Sequence, residues 1–172
     1  MIILGIDPGI GRVGYGIIRK QGSQLTPITF GLIETPQIAV PDRLKLIHTQ
    51  VTELIATHHP HCLVTERLLF TKNQTTAMDV AKAVGCILLA AAESNLPHTE
   101  YSPPEVKQSV TGTGRAEKKQ VQFMVTRLLG LQETPKPDDI ADALAIAITH
   151  AMRVLPAQAQ AIAESAKSAT TP

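Results

Sequence analysis

The sequence predicts an α/β protein in which helices cover both faces of a mixed five-stranded sheet. Three observations lead to this fold class: three β-branched runs come first, two more apolar runs follow among helical patterns, and three further helical patterns close the chain. A length of 172 residues, 44% of them hydrophobic, suits one globular domain with a substantial core. The expected element order is therefore βββαβαβααα.

The first three strands are expected to form an antiparallel meander. IILGID is β-branched and ends at Pro8 and Gly9, and RVGYGIIRK and LTPITFGLIET continue in the same style. Gly22 and Ser23 form the turn between the second and third strands. An amphipathic helix then follows from residue 41 to about residue 58, where apolar residues recur at helical spacing.

The apolar run HCLVTE predicts a central strand, and the polar loop TKNQTT leads from it into a helix from about Gln74 to Asn95. PHTEYS predicts the last strand, PPEVKQSV a short helix, GTG a hinge, and AEKKQVQFMVTRLLG a further helix. A final helix starts at Asp138 and Asp139 and ends near Arg153. The domain is expected to span residues 1–155, and the Ala-, Gln- and Ser-rich segment 156–172 to be a flexible tail.

Four acidic residues lie where their surroundings should be apolar: Asp7 ends IILGID, Glu66 ends HCLVTE, and Asp139 and Asp142 open DIADALAIAITH. The element order is that of a ribonuclease H-like sheet, in which these positions would converge. Clustered carboxylates beside a core are costly unless a cation neutralises them. Two hard cations, Mg²⁺ with Mn²⁺ as a substitute, would bind the attacking water and the leaving oxygen of a phosphodiester.

Each of these carboxylates also has a simpler interpretation. Asp7 in Asp-Pro-Gly could be only a turn former, Glu66 a solvated strand end, and Asp139 an N-cap of the last helix. Asp138 competes for that capping role. The spacing of Asp139 and Asp142 nevertheless puts both side chains on one face of the first helical turn, which favours a shared metal site.

The glycines of GIGRVGYG match a dinucleotide-binding fingerprint at Gly9, Gly11 and Gly14. That fingerprint needs a helix to begin at the glycines, whereas YGIIRK predicts a strand. The glycines are expected instead to allow a tight hairpin and close approach of a nucleic-acid backbone to Asp7.

The basic segment around GTGRA is a candidate phosphate clamp, with a solvated helix face as the alternative. Its cations are Lys107, Arg115, Lys118 and Lys119. Phe70, in the loop after Glu66, is the candidate for stacking on an unpaired base, or else a loop anchor, and Lys72 in the same loop is a further candidate contact. Phe30 and Phe123 lie in apolar patterns and are expected in the core.

The cysteines, the histidines and the absence of membrane or secretory patterns limit the kinds of site and location that the sequence predicts. Cys62 and Cys86 are too few for a disulfide framework and are expected to be small core residues of a reduced protein. His58, His59 and His61 follow a helix end, where histidine is ordinary, and are not expected to bind metal. The sequence shows neither a membrane span nor a secretory signal, so the protein is expected to be cytoplasmic.

Four blocks together closely resemble the Holliday-junction resolvases of the RuvC family. They are IILGIDPGIGRVGYG, Glu66 with the loop to Lys72-Asn73, EVKQSVTGTGRAEKKQV and DDIADALAIAITH, and the match covers roughly residues 1–152. The resemblance implies that the four carboxylates are catalytic metal ligands and that Lys107 and Lys118 lie near DNA phosphates. The sequence departs from the family at one position. Many members have an aromatic residue, which is proposed to stack at the opened junction, three positions after the catalytic glutamate. Here that position is Leu69, and Phe70 follows it.

The resemblance also implies a homodimer that cuts four-way junction DNA by two symmetric nicks, leaves 5′-phosphate ends and works with the RuvA and RuvB branch-migration proteins. A stripe of Ala81, Val84, Leu88 and Ala91 would supply the dimer surface. Two alternatives remain open. One is half of a sugar-kinase or actin-like nucleotide-binding protein, which would need a second lobe; the other is a junction-binding protein without catalysis.

Overall fold

The computed structural model describes residues 1–68 and 74–154, apart from the side chains of residues 74–76. Ten elements follow one another in the predicted order: β1 (Ile2–Asp7), β2 (Arg12–Gln21), β3 (Gln24–Glu34), α1 (Val40–His58), β4 (Cys62–Glu66), α2 (Gln74–Glu93), β5 (His98–Tyr101), α3 (Pro103–Thr111), α4 (Lys118–Leu128) and α5 (Asp138–Arg153). The mixed five-stranded sheet and the covering helices confirm the predicted fold class. The predicted tail lies outside the described residues, so the domain boundary stays a prediction.

The strand order is β3-β2-β1-β4-β5, with β1 at the centre. β1 pairs antiparallel with β2 and parallel with β4, and β4 pairs parallel with β5. The first three strands therefore form the predicted meander. Because β1 and β4 run in the same direction, their carboxyl ends meet at one edge of the sheet, and Asp7 and Glu66 end those two strands.

Each face of the sheet has its own apolar core. One core lies under α1 and α2, and it contains Leu4, Ile6 and Leu63 from the central strands. The other lies under α3, α4 and α5, and it contains Ile3 and Val64 from the same strands. Alternate side chains of a strand point to opposite faces, so strands buried on both sides must be apolar throughout.

The helix α5 lies directly on the sheet because glycines make room for it. A Cβ at Gly5 of β1 would come within 2.3 Å of the Ala143 carbonyl oxygen, and a Cβ at Gly14 of β2 within 2.1 Å of the Asp139 carbonyl oxygen. Neither space could hold a side chain. The close approach predicted for nucleic acid at Gly14 is thus made by the backbone of α5.

Two predictions about aromatic side chains are wrong. Phe30 and Phe123 were expected in the core, but they are 38% and 56% exposed. Phe30 lies on the edge strand β3. Phe123 follows the buried Val121 of α4 by two residues, which is about 200° around a helix, and so points away from the core.

The structure also corrects the face of α2 that was expected to be apolar and free. Of the expected stripe, Val84 and Ala91 are buried within the chain itself, Leu88 is half-buried and Ala81 is exposed. Met78 and Leu89, which were not in that stripe, are 58% and 52% exposed. Cys86 is half-buried, although it was expected in the core.

No helix in the described ranges is both long and apolar enough to span a membrane.

Candidate active site

The four predicted carboxylates come together at the carboxyl edge of β1 and β4. Ile6 of β1 pairs with Thr65 of β4, which places Asp7 beside Glu66 at the next position. The first turn of α5 lies over this edge, because Gly14 admits the backbone at Asp139. One sheet edge and one helix therefore bring three separate parts of the sequence to a common point.

The helix α5 presents acidic side chains from its first turn. Its N-cap is Pro137, which provides no side-chain hydrogen bond, so neither Asp138 nor Asp139 is the cap. Both lie instead inside the first turn, where the helix dipole favours negative charge. Most of the remaining helix is apolar and buried, and that anchors this acidic end in one place.

Lys118 lies among these acids. Its Nζ is 2.6 Å from Oδ2 of Asp138 and 2.9 Å from Oδ2 of Asp142. It begins α4, whose buried Val121 and Val125 pack in the same core as α5. Burial opposes the charge of Lys118, but hydrogen bonds to Asp138 and Asp142 outweigh it and raise the lysine pKa.

The structure adds Arg12, which the sequence reasoning missed. Nη2 of Arg12 is 3.4 Å from Oδ2 of Asp139, an ion pair in which the arginine side chain is 51% exposed. That carboxylate oxygen is buried and accepts no hydrogen bond. The only signal in the sequence was the position of Arg12 at the start of β2, two residues before Gly14, which pairs with Asp7 at the end of β1.

Burial and the concentrated negative charge raise the pKa values of three of the acids. Burial, followed by repulsion from Asp142, Glu66 and Asp139, raises the pKa of Asp7 to about 7, against an attraction from Lys118. Burial and the charge of Asp142 raise the pKa of Glu66 as well. Burial also raises the pKa of Asp142, despite its contact with Lys118. A cation bound among these acids would favour their ionised forms and oppose this shift.

A cleft of about 220 Å³ opens beside the acids. Glu66, Asp142, Lys107 and Lys118 line it together with apolar side chains of α3, α4 and α5. Lys107 is near enough to Glu66 to lower its pKa, in part offsetting burial. The cleft thus holds both carboxylates and ammonium groups, which could bind cations and phosphate oxygens respectively.

The donor set fits divalent cations. Four carboxylates supply the hard oxygen ligands that Mg²⁺ and Mn²⁺ prefer, and the buried Oδ2 of Asp139 lacks a hydrogen-bond partner. Within residues 1–68 and 74–154, no three acidic, histidine or cysteine side chains are grouped closely enough to hold one metal ion. Lys118 contacts Asp142 and Arg12 contacts Asp139, so an ion that bound either carboxylate oxygen would compete with one of these cations.

The other predicted contacts are less closely placed. Arg115 and Lys119 are exposed, in the loop before α4 and in its first turn. Phe70, Lys72 and the departure at Leu69 lie outside the described residues.

Comparison with known proteins places this geometry in context. The family model for "Crossover junction endodeoxyribonuclease RuvC" matches residues 3–150. Proteins of that name from Brevibacillus brevis and Desulfitobacterium hafniense are 54% and 51% identical, over 88% and 90% of this chain and 92% and 94% of theirs. The solved structure "T. thermophilus RuvC in complex with Holliday junction substrate" superposes with a TM-score of 0.85 at 36% identity, covering 93% of this chain and 96% of that one.

Proposed function

Because this chain belongs to the RuvC family of crossover junction endodeoxyribonucleases, we propose that Asp7, Glu66, Asp139 and Asp142 are its catalytic metal ligands. The chain is a structure-selective endonuclease that resolves Holliday junctions. The observation that carries the residue assignment is the convergence of these four acids, from two strand ends and one helix, beside a cleft that Glu66 and Asp142 line together with Lys107 and Lys118.

The family is one of metal-dependent nucleases, and Mg²⁺ is the proposed metal, with Mn²⁺ as a substitute. Two ions held by the four carboxylates would supply an activated water and charge stabilisation for the departing 3′ oxygen, giving 5′-phosphate ends. The raised pKa of Asp7 implies that ion binding releases a proton near neutral pH. Magnesium affinity should therefore increase with pH.

Lys118 and Lys107 are proposed to hold the scissile phosphate. Lys118 contacts Asp142 at 2.9 Å and Asp138 at 2.6 Å, and once a metal ion takes over Asp142 its ammonium could contact a phosphate while it keeps Asp138. Lys107 lines the same cleft. Lys118 would therefore neutralise a carboxylate before metal binds, and both lysines would bind the phosphate afterwards.

An end-labelled mobile four-way junction tests the function and the ligand assignment together. Wild-type protein should make paired, symmetric, ligatable nicks with Mg²⁺ and none with EDTA, and it should leave a linear duplex of the same sequence intact. Asp139→Asn should abolish cutting while junction binding persists, because binding rests on phosphate contacts.

Asp138→Asn is the matched control, because it removes the same charge one residue away. Asp138 is 46% exposed and contacts Lys118, and it is not assigned as a ligand. Its variant should keep most of the activity. Equal loss in both variants would contradict the assignment, and binding without nicks in the wild type would favour the non-catalytic alternative.

A homodimer is proposed through the exposed face of α2. Met78, Gly85, Leu89 and Ala92 form an exposed apolar stripe on that helix, in place of the stripe expected from the sequence. Two copies would place two active sites on one junction, as paired nicks require. Leu89→Glu should convert the dimer to monomer in light scattering after gel filtration, whereas Met152→Glu, at an equally exposed apolar position on α5, should not.

RuvA and RuvB are proposed as partners on the family resemblance. Junctions preloaded with both proteins should be cut at an altered rate if the three act together, and at an unchanged rate if they do not. For DNA contacts, Arg115→Gln, Lys119→Gln, Lys72→Gln and Phe70→Ala should each weaken junction binding. A variant that binds like wild type removes its residue from the interface.

A further inference from the structure

The outer surface of α4 carries an exposed aromatic side chain between two cations. Lys119, Phe123 and Arg127 are spaced four residues apart, so they form one ridge along the helix. The guanidinium carbon of Arg127 lies 5.3 Å from the centre of the Phe123 ring, which is a cation–π contact. Phe123 is 56% exposed, so most of the ring and the cation beside it remain open to a partner.

We propose that this ridge binds the sugar–phosphate backbone of a duplex arm of the junction, outside the catalytic cleft. The inference rests on the proposed function, since it adds a second contact surface for the same substrate. Arg127 would contact phosphate, and Phe123 would hold the guanidinium in place and pack against deoxyribose. Lys119 would contact a phosphate nearer the cleft.

The ridge begins next to the cleft and runs away from it along α4. Lys118, which contacts Asp138 and Asp142, is the residue immediately before Lys119. Arg127 follows Lys118 by nine residues, which is roughly 14 Å along a helix. That distance is about four base pairs of duplex. Nine residues also turn about 180° around a helix, so Arg127 lies on the side of α4 away from Lys118, and DNA at the ridge would have to pass around the helix from the cleft.

The charge of the ridge matches DNA. From Lys118 to Leu128, α4 contains three cations and no acidic residue. Among the described residues Lys118 is paired with acids, but neither Lys119 nor Arg127 forms an ion pair. Two unpaired cations that flank an apolar ring suit a polyanion with apolar sugars better than an apolar protein surface.

The test measures junction affinity without cleavage, by fluorescence anisotropy in EDTA, for Arg127→Gln and Phe123→Ala. Both substitutions are on the helix surface. With long-armed junctions, each dissociation constant should rise about threefold to tenfold, and Arg127→Gln should reduce the slope of log K against log salt by about one. The rate of cutting at saturating DNA with Mg²⁺ should not change.

Trimming the junction arms identifies where the contact lies. Wild-type protein should lose affinity once the arms no longer reach Arg127, and Arg127→Gln should then bind like wild type. Lys45→Gln is the matched control, because Lys45 is an exposed helical cation on the opposite face of the sheet. It should bind like wild type on every junction.

Three results would overturn the proposal. They are unchanged affinity and salt slope in Arg127→Gln on long arms, a defect that is independent of arm length, and a change in oligomeric state in Phe123→Ala, which would make the ridge a protein interface. If the wild-type protein fails to bind or cut junctions, the proposed function fails. If the wild-type protein binds and cuts junctions but the ridge variants bind as tightly as it does, the proposed function stands and this inference fails.

Discussion

Asp7→Asn should stabilise the metal-free protein while abolishing its activity. Burial and the charges of Asp142, Glu66 and Asp139 raise the pKa of Asp7 from 3.8 to about 7 in the folded state. A group whose pKa is raised by folding stabilises the folded state fully below its unfolded pKa. That contribution is lost as pH rises through the folded pKa. Asparagine does not ionise, so the variant avoids the loss.

The size of the effect follows from the pKa change. At 1.36 kcal/mol per pH unit, the interval from 3.8 to about 7 corresponds to about 4 kcal/mol at high pH. Part of this is already lost at about pH 5, where unfolded Asp7 is ionised. Between about pH 5 and about pH 8.5, the unfolding free energy of Asp7→Asn relative to wild type should rise by about 2 to 3 kcal/mol.

The assay is urea unfolding in EDTA, followed by circular dichroism, for both proteins at both pH values. For Asp138→Asn the change in unfolding free energy should have the opposite sign, because a hydrogen bond from Lys118 lowers the pKa of Asp138. That aspartate stabilises the fold at any pH above its unfolded pKa, so its variant should lose stability by the same amount at both pH values. An Asp7→Asn advantage that is the same at both pH values would refute the electrostatic explanation. Mg²⁺ should stabilise wild type more than Asp7→Asn.

Two further predictions concern the supports of the site. Gly14→Ala should destabilise the protein by about 2 to 4 kcal/mol in urea unfolding and reduce cutting, because its Cβ would meet the Asp139 carbonyl oxygen; Gly31→Ala, which meets the movable Tyr15 ring, should cost less. Arg12→Gln should tighten Mn²⁺ binding without DNA about twofold to fivefold in calorimetry, because the guanidinium occupies Asp139. Unchanged Mn²⁺ affinity would show that Arg12 does not compete with metal.

Local pattern was enough to predict the elements. The helix predicted from residue 41 to about residue 58 is α1 (Val40–His58), and the final helix has the predicted bounds. Periodicity succeeds here because each element buries one face or one stripe, and turn residues separate the elements. The acidic residues were also recognisable, since each ends or begins an apolar run.

The orientation of each element was harder to predict. α2 is small and apolar on several sides, so its sequence does not reveal which stripe faces the sheet, and the exposed stripe runs through Met78 and Leu89. Phe123 could have been placed outside, because Val121 and Val125 already define the buried face of α4. Arg12 had no such signal, since its partner Asp139 lies far along the chain.

The sequence by itself determined the order of the elements, the family and the four acidic residues, because these depend on residue type and on spacing along the chain. Only the tertiary structure decided how these acids are held: Gly14 admits α5 onto the sheet, and Lys118 and Arg12 contact Asp142 and Asp139. Charge interactions depend on distance through space. That distance is set when separate elements pack, and no local pattern contains it.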